Sequence, residues 1–331
     1  MTSGFKSNWF VWVLLILCIL AIPVGLLSRN AGENLASDEE LDSGDLTTRF
    51  TDRIQVIRLY GIIVDKREKL FGEDENAPFV VKALRKAALD DHVKGVLLRI
   101  NSPGGTVPTS QEINDELKAL KGKNKVVVAS MADVAASGGY YIASAADKIV
   151  AEPGTITGSI GVIFNSINVK GLADKLGVQP QIVKSGQFKD MGSPFRAFTQ
   201  EDKAILQGLI MDSYDQFVQA VADGRKLKVE AVKKIADGRI YSGRQALKLG
   251  LVDQLGGYET AMDLLQSLCQ ERYQRKTKFP VEEVSGGGLF SRLAGLNKGF
   301  KFAFDNGSVT GELIPEFMNA RYYHMPLWIM Q

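Results

Sequence analysis

Three short stretches of this 331-residue chain hold residues whose types and spacing could do chemistry. The first is Asn101-Ser102-Pro103-Gly104-Gly105, directly after the apolar run GVLLRI. Adjacent glycines reach backbone conformations closed to other residues and bring bare N–H groups close to a ligand. At the carboxyl end of a buried strand, Gly104 and Gly105 could form an oxyanion hole, or the stretch could simply be a tight turn. The second is Asp133-Val134-Ala135-Ala136-Ser137-Gly138-Gly139-Tyr140-Tyr141, after KVVVASM. There Ser137 sits at a strand-to-helix junction among small neighbours that let a substrate backbone approach; alone, it could equally be a helix N-cap. The third is Lys184-Ser185-Gly186-Gln187-Phe188-Lys189-Asp190. A lysine works as a general base only when neutral, which requires desolvation, and Phe188 beside Lys189 could help supply it. The ordinary alternative is a solvated surface charge.

Other chemistries have little to work with. The chain has no H-E-x-x-H, no G-x-x-x-x-G-K-[ST] and no G-x-G-x-x-G after a strand. Two cysteines, Cys18 and Cys269, rule out a disulfide framework and a Cys-rich zinc site. No metal or cofactor is expected. A Ser-His-Asp triad would need His92 or His324, the first in a turn and the second in the terminal tail. Forty basic against 38 acidic residues give a net charge of +2, no general reason to expect nucleic-acid binding.

These stretches need elements to position them. Arg53–Asp65 reads as strand and turn, Phe79–Asp90 and Ser110–Leu120 as amphipathic helices, and Gly95–Ile100 and Lys125–Met131 as buried strands. A small-residue helix follows over Ala135–Ala146, with short strands at Ile149–Ala151 and Ile160–Val162. QIVKSGQFK reads as a strand entering a loop, and Thr199–Gln270 as largely helical, with Cys269 on an apolar face. Alternating strand and helix predict an α/β fold with a mostly parallel sheet.

Upstream, Trp9–Leu27 is nineteen residues without a charge, long enough as a helix to cross a bilayer and longer than a typical signal-peptide core. An uncleaved N-terminal transmembrane helix is expected, with the body on the extracytoplasmic side of a bacterial cell membrane. Residues 30–48 carry six acids and no base, the composition of a flexible tether. The expected organisation is a short tail (1–8), an anchor in membrane lipid (9–28), an acidic linker (29–51), a catalytic domain (52–275) and a C-terminal extension (276–331).

The ordered series NSPGG, ASGGYY, EPGTITGSIGV, KSGQFKDMGSP and DGRIYSGRQALKLGLVD resembles the signal peptide peptidase A family, in register from about Arg53 to Leu268. That resemblance implies a crotonase-like fold related to the Clp protease subunit, and a membrane-anchored serine endopeptidase that degrades remnant signal peptides. It implies Ser137 as nucleophile and Lys189 as general base. It further implies Gly104 or Gly105 together with Gly138 as oxyanion donors, and Ser159, in TGSIG, as a hydroxyl that holds the lysine. The long family form has two tandem copies of the domain; a single copy implies a homo-oligomeric ring. Two rivals share the fold: an acyl-CoA hydratase or isomerase, and a catalytically silent membrane scaffold. The LFSRLAGLNKGFKFAF segment of the tail could lie on a membrane or pack on a neighbouring subunit.

Overall fold

The computed structural model describes residues 50–65 and 77–284, together with the strand Leu327–Ile329. The chain divides into two compact units, Met1–Leu46 and Thr47–Gln331, and the described residues belong to the second. The expected anchor, nearly all of the acidic linker, and His324 lie outside the described residues. Among the described residues no helix is long and apolar enough to cross a membrane.

The apolar runs become the middle of a sheet. Strands β1 (Arg53–Tyr60), β2 (Val93–Ser102) and β4 (Val126–Ala136) lie side by side in parallel. On the far edge of β4, β5 (Lys148–Ala151) pairs with its first half and β6 (Ile156–Gly158) with its second. The short β7 (Ile240–Ser242) closes that side antiparallel to β6, and β8 (Gln254–Leu255) pairs with β5. On the other side, β9 (Val281–Glu283) adds in parallel to β1. Arg53 ties that edge together, bonding to Glu282 at 2.5 Å and Asp90 at 2.6 Å. The sheet therefore continues beyond the boundary drawn at residue 276.

Both faces of the sheet are covered, which is why its strands read as nearly continuous apolar runs. Ile57, Leu59, Val96, Leu98 and Ile100 pack into the larger core with helices α1 (Ala77–Leu89) and α2 (Val107–Gly122). The alternate residues Ile54, Val56 and Leu97 pack with Leu265 and Cys269 of the late helix α8 (Tyr258–Arg272). Cys269 is buried, as its apolar helix face implied, and burial pushes its thiol up to about 12. Truncating a fully buried leucine such as Leu98 to alanine should cost about 2–5 kcal/mol.

The remaining helices are α3 (Gly138–Ala143), α4 (Lys170–Lys175), α5 (Gln200–Arg225), α6 (Val229–Lys233) and α7 (Gly243–Lys248). The longest, α5, starts at a capping box between Thr199 and Asp202. Three expectations shift. Ala135 and Ala136 complete β4 rather than opening a helix, so α3 begins after Ser137. The strand expected at Ile160–Val162 lies at Ile156–Gly158, where both β4 and β7 offer edges to pair with. QIVK forms no strand: among the described residues it meets no sheet edge, and Val183 is fully exposed.

A second, two-stranded sheet takes in Gly104 and Gly105. Strand β3 (Gly104–Thr106) pairs antiparallel with β10 (Leu327–Ile329), setting Trp328 opposite Gly105 and Ile329 opposite Gly104.

Candidate active site

Ser137 stands at the sharp turn between β4 and α3, with φ 53° and ψ −118°. A non-glycine residue there is strained, and it persists only where its surroundings dictate it. They do. The Ser137 N–H donates to Gly158 O at 2.8 Å, and Ser137 O accepts from the Tyr141 N–H at 2.8 Å. Helix α3 is then pinned by the Tyr140 hydroxyl, which donates to Leu251 O at 2.9 Å, and by Asn114 Nδ2, which donates to Tyr141 O at 2.8 Å. Tyr141 also packs edge-on to Phe217, with ring centroids 5.2 Å apart. The side chain of Ser137 does not cap the helix, so the N-cap alternative fails. Its Oγ is buried with no hydrogen-bond partner among the described residues. Leaving a buried hydroxyl unpaired costs about 1–3 kcal/mol, so this one calls for an explanation.

The glycine stretch meets this corner. Gly104 has φ 112°, which only glycine adopts freely. A Cβ on Gly105 would stand 1.9 Å from Ile63 O, so the backbone approach there also requires glycine. The Ile63 N–H donates to Gly104 O at 2.9 Å and the Thr106 N–H donates to Ile63 O at 2.8 Å. Strand alternation therefore turns the Gly105 N–H to the opposite edge, the one along which β10 runs. The Gly104 N–H is already engaged, donating to Ser102 Oγ at 3.1 Å.

Ser159 follows Gly158, the partner of the Ser137 N–H, and so belongs to the same corner. It too has a positive φ, 49°, and its N–H donates to Arg239 O at 2.9 Å. It lines a cleft of about 650 Å³ with Val162, Tyr214, Asp237 and Arg239 among its walls. Ser137, Ser159 and the glycines 104, 105 and 138 are thus gathered in one place.

Lys189 is not gathered with them. It lies exposed in the turn 184–191, and its side chain makes no ion pair or hydrogen bond among the described residues. Phe188 is exposed as well. The neighbouring carboxylate is occupied elsewhere. Asp190 accepts from Arg196 at 3.0 Å and from Lys184 at 2.8 Å, and these bonds hold its carboxyl down to about 2. Arg196 bonds in turn to buried Asp202, lowering that carboxyl too. Among the described residues Lys189 is therefore left without a carboxylate partner.

His92 sits in its turn 3.3 Å from Asp52, at the opposite end of β2 from this corner. No group of acidic, histidine or cysteine side chains able to hold a metal occurs among the described residues. Sequence reasoning passed over Asn101 and Ser102, whose side chains bond to the strands on either side of the corner. The signal was two short polar residues ending an apolar strand.

Residues 119–271 match peptidase family S49, and residues 55–154 match the Clp protease family. Over 237 residues the chain is 42% identical to a protein of Enterococcus faecium assigned as signal peptide peptidase SppA, covering 71% of this chain and 68% of that one. It is 44% identical over 250 residues to a protein of Synechocystis assigned as a protease, covering 76% and 89%. Protease 4 of Haemophilus influenzae is 36% identical over 254 residues, 73% of this chain but 40% of that longer one.

Proposed function

This chain belongs to peptidase family S49 and is a serine peptidase with a Clp-protease-like α/β fold, and from that premise we propose that Ser137 is its nucleophile and Lys189 its general base. The observation that carries the reading is the buried, unpaired Ser137 hydroxyl, held in a strained turn between β4 and α3. Strain and an orphaned hydroxyl together are what a nucleophile awaiting its base would show.

Neutral Lys189 takes the Ser137 proton as Oγ attacks the peptide carbonyl. The oxyanion is received by the N–H groups of Gly105 and Gly138, since that of Gly104 is taken by Ser102. The lysine ammonium then protonates the leaving amine. Water attacks the resulting ester, giving its proton back through the lysine, and the acid product departs. Substrate lies extended along β3, where β10 already demonstrates that the edge accepts an antiparallel strand.

Lys189 comes from a second copy of the chain. Exposed Leu176, Val178, Ile182 and Val183 surround its approach in sequence, an apolar set suited to burial against a neighbour in a closed ring. Ser159, on the wall of the adjoining cleft, is placed to hold the incoming amine. The substrates are apolar peptides of the kind left by signal-peptide cleavage. Residues 9–28 anchor the chain in a bacterial cell membrane, with the catalytic body on the extracytoplasmic side.

A serine-directed fluorophosphonate probe tests the core of this reading. Labelling and peptide cleavage should both disappear in Ser137→Ala; labelling that survives the substitution overturns the assignment. For the anchor, the full chain should sediment with membranes and a chain lacking residues 1–28 should not. Equal partition of the two rejects it.

A further inference from the structure

Beyond the residues that touch substrate, we propose that Asn101 and Ser102 are positioning residues that set the spacing of the two oxyanion donors, Gly105 and Gly138. This rests on the serine peptidase site described above and adds to it the means by which its two halves are held in register.

The argument starts from a slip in the sheet. Strands β2 and β4 pair in step from Gly95 and Val126 to Ile100 and Met131. The next pair is Ser102 with Ala135, so Asn101 alone faces Ala132, Asp133 and Val134. Such a bulge interrupts the ladder and re-aims the strand that carries it. Here the Asn101 side chain bridges the interruption: Oδ1 accepts from the Val134 N–H at 3.1 Å, and Nδ2 donates to Asp133 Oδ2 at 3.2 Å. Asn101 O also accepts from the Gly61 N–H at 3.0 Å, fixing the other side of the strand. The segment steadied in this way is the one that ends at Ser137 and Gly138.

Ser102 does the complementary task. It is wholly buried, and its Oγ accepts from the Gly104 N–H at 3.1 Å. That bond fixes the Pro103–Gly104 peptide, one residue ahead of the Gly105 N–H, and engages the neighbouring N–H of Gly104. The carbonyl of Ser102 lies 3.0 Å from where a Cβ on Gly139 would stand, so the first turn of α3 seats against the same residue. One dipeptide therefore touches the chain on both sides of the hole. An oxyanion donor must stand within about 2.7–3.1 Å of the developing charge, and a misplacement of about 1 Å can cost a hundredfold in rate.

Asn101→Ala and Ser102→Ala, in the full chain, should each lower kcat by about 10- to 100-fold while KM stays within about twofold. A peptide aldehyde, whose tetrahedral adduct on Ser137 puts an oxygen in the hole, should weaken by the same factor. In a Ser137→Ala background, affinity for an uncleaved peptide should not change. Asn101→Asp keeps the acceptor for the Val134 N–H but sets a second carboxylate against Asp133, and should lower kcat at least as far as alanine does. Unchanged kcat in both alanine variants overturns the proposal. So does a loss in which peptide affinity, aldehyde affinity and melting temperature all decline together, since that marks a structural role only. Should Ser102→Ala fail to fold, the half-exposed Asn101 decides by itself. Cleavage persisting in Ser137→Ala would fell the underlying site, a result separable from a wild-type rate in the Asn101 and Ser102 variants.

Discussion

The corner around Ser137 and the segment from residue 163 to 198 are built on opposite plans. At the corner the backbone is strained, the neighbours are buried, and almost every polar atom has a partner within the chain. In the segment there is little regular structure beyond α4, apolar side chains face outward, and the strongest contacts are ion pairs among Lys184, Asp190, Arg196 and Asp202. One half of the proposed chemistry is preorganised by the fold, and the other is presented on the surface. A nucleophile needs a rigid seat before substrate arrives. A lysine base needs a dry environment, which an exposed segment acquires only when another surface covers it.

The sharpest way to break that contrast is to separate the halves. Ser137→Ala and Lys189→Ala should each lower cleavage by at least about a thousandfold. Lys189→Arg should be equally inactive, because arginine keeps its proton in a protein. Mixed under conditions where subunits exchange, the two alanine chains should recover about a quarter of wild-type activity. Each interface needs one intact residue from each neighbour, and each choice is right half the time. No recovery despite verified exchange would put both residues in one chain and remove the contrast.

Next in size is Gly105→Ala. The added methyl meets Ile63 O at 1.9 Å, so β3 must shift and carry its N–H with it. Loss of one oxyanion donor should lower kcat by about 10²–10³-fold, while subunit assembly, governed by the other region, should be unaltered. A variant that loses its oligomeric state along with its rate would show that the two regions are not separable.

Much of the preorganised half could be read from sequence. Alternate residues of GVLLRI and KVVVASM each found a buried face, and the small residues around Ser137 marked the tight junction between β4 and α3. What escaped was whatever depends on strand register. The slip between Ile100 and Ser102 gives Asn101 its task, and register is a property of two strands, visible in neither alone. The surface half misled for a related reason. QIVK has a strand's composition, but a strand needs an edge, and the described residues supply none there. The turn of Gly158 and Ser159 likewise shortened a strand that apolar residues at 160–162 would have continued.

Acid should resolve the two regions as well. Asp190 is held down to about 2 by Arg196 and Lys184, and Asp202 is lowered by Arg196 and the Thr199 N–H. A carboxyl depressed below its ordinary ~3.9 contributes stability that is complete above that value and is lost as pH falls through the folded one. Amide exchange in residues 184–202 should therefore quicken between about pH 4 and about pH 2, ahead of β2 and β4, whose ladder joins backbone groups that do not titrate. Exchange rising in both regions at one pH would mean that they open as a unit.

The smallest effect expected is at β10, which runs along the edge proposed for substrate. Leu327–Ile329 runs antiparallel along the side of β3 onto which the Gly105 N–H points. A peptide substrate in the extended mode needs that same edge, so the two must compete. An edge free for only a fraction of the time weakens apparent affinity in inverse proportion to that fraction. If β10 is docked for half to nine-tenths of the time, freeing β3 should lower KM by about two- to tenfold and leave kcat unchanged. Trp328→Pro tests this with one substitution, because proline removes the backbone N–H that the pairing uses and leaves the rest of the sequence as it is. Steady-state cleavage of one apolar peptide by both proteins gives the answer. A lower KM at constant kcat places substrate on β3; an unchanged KM moves the substrate strand elsewhere and leaves β10 an ordinary piece of the sheet.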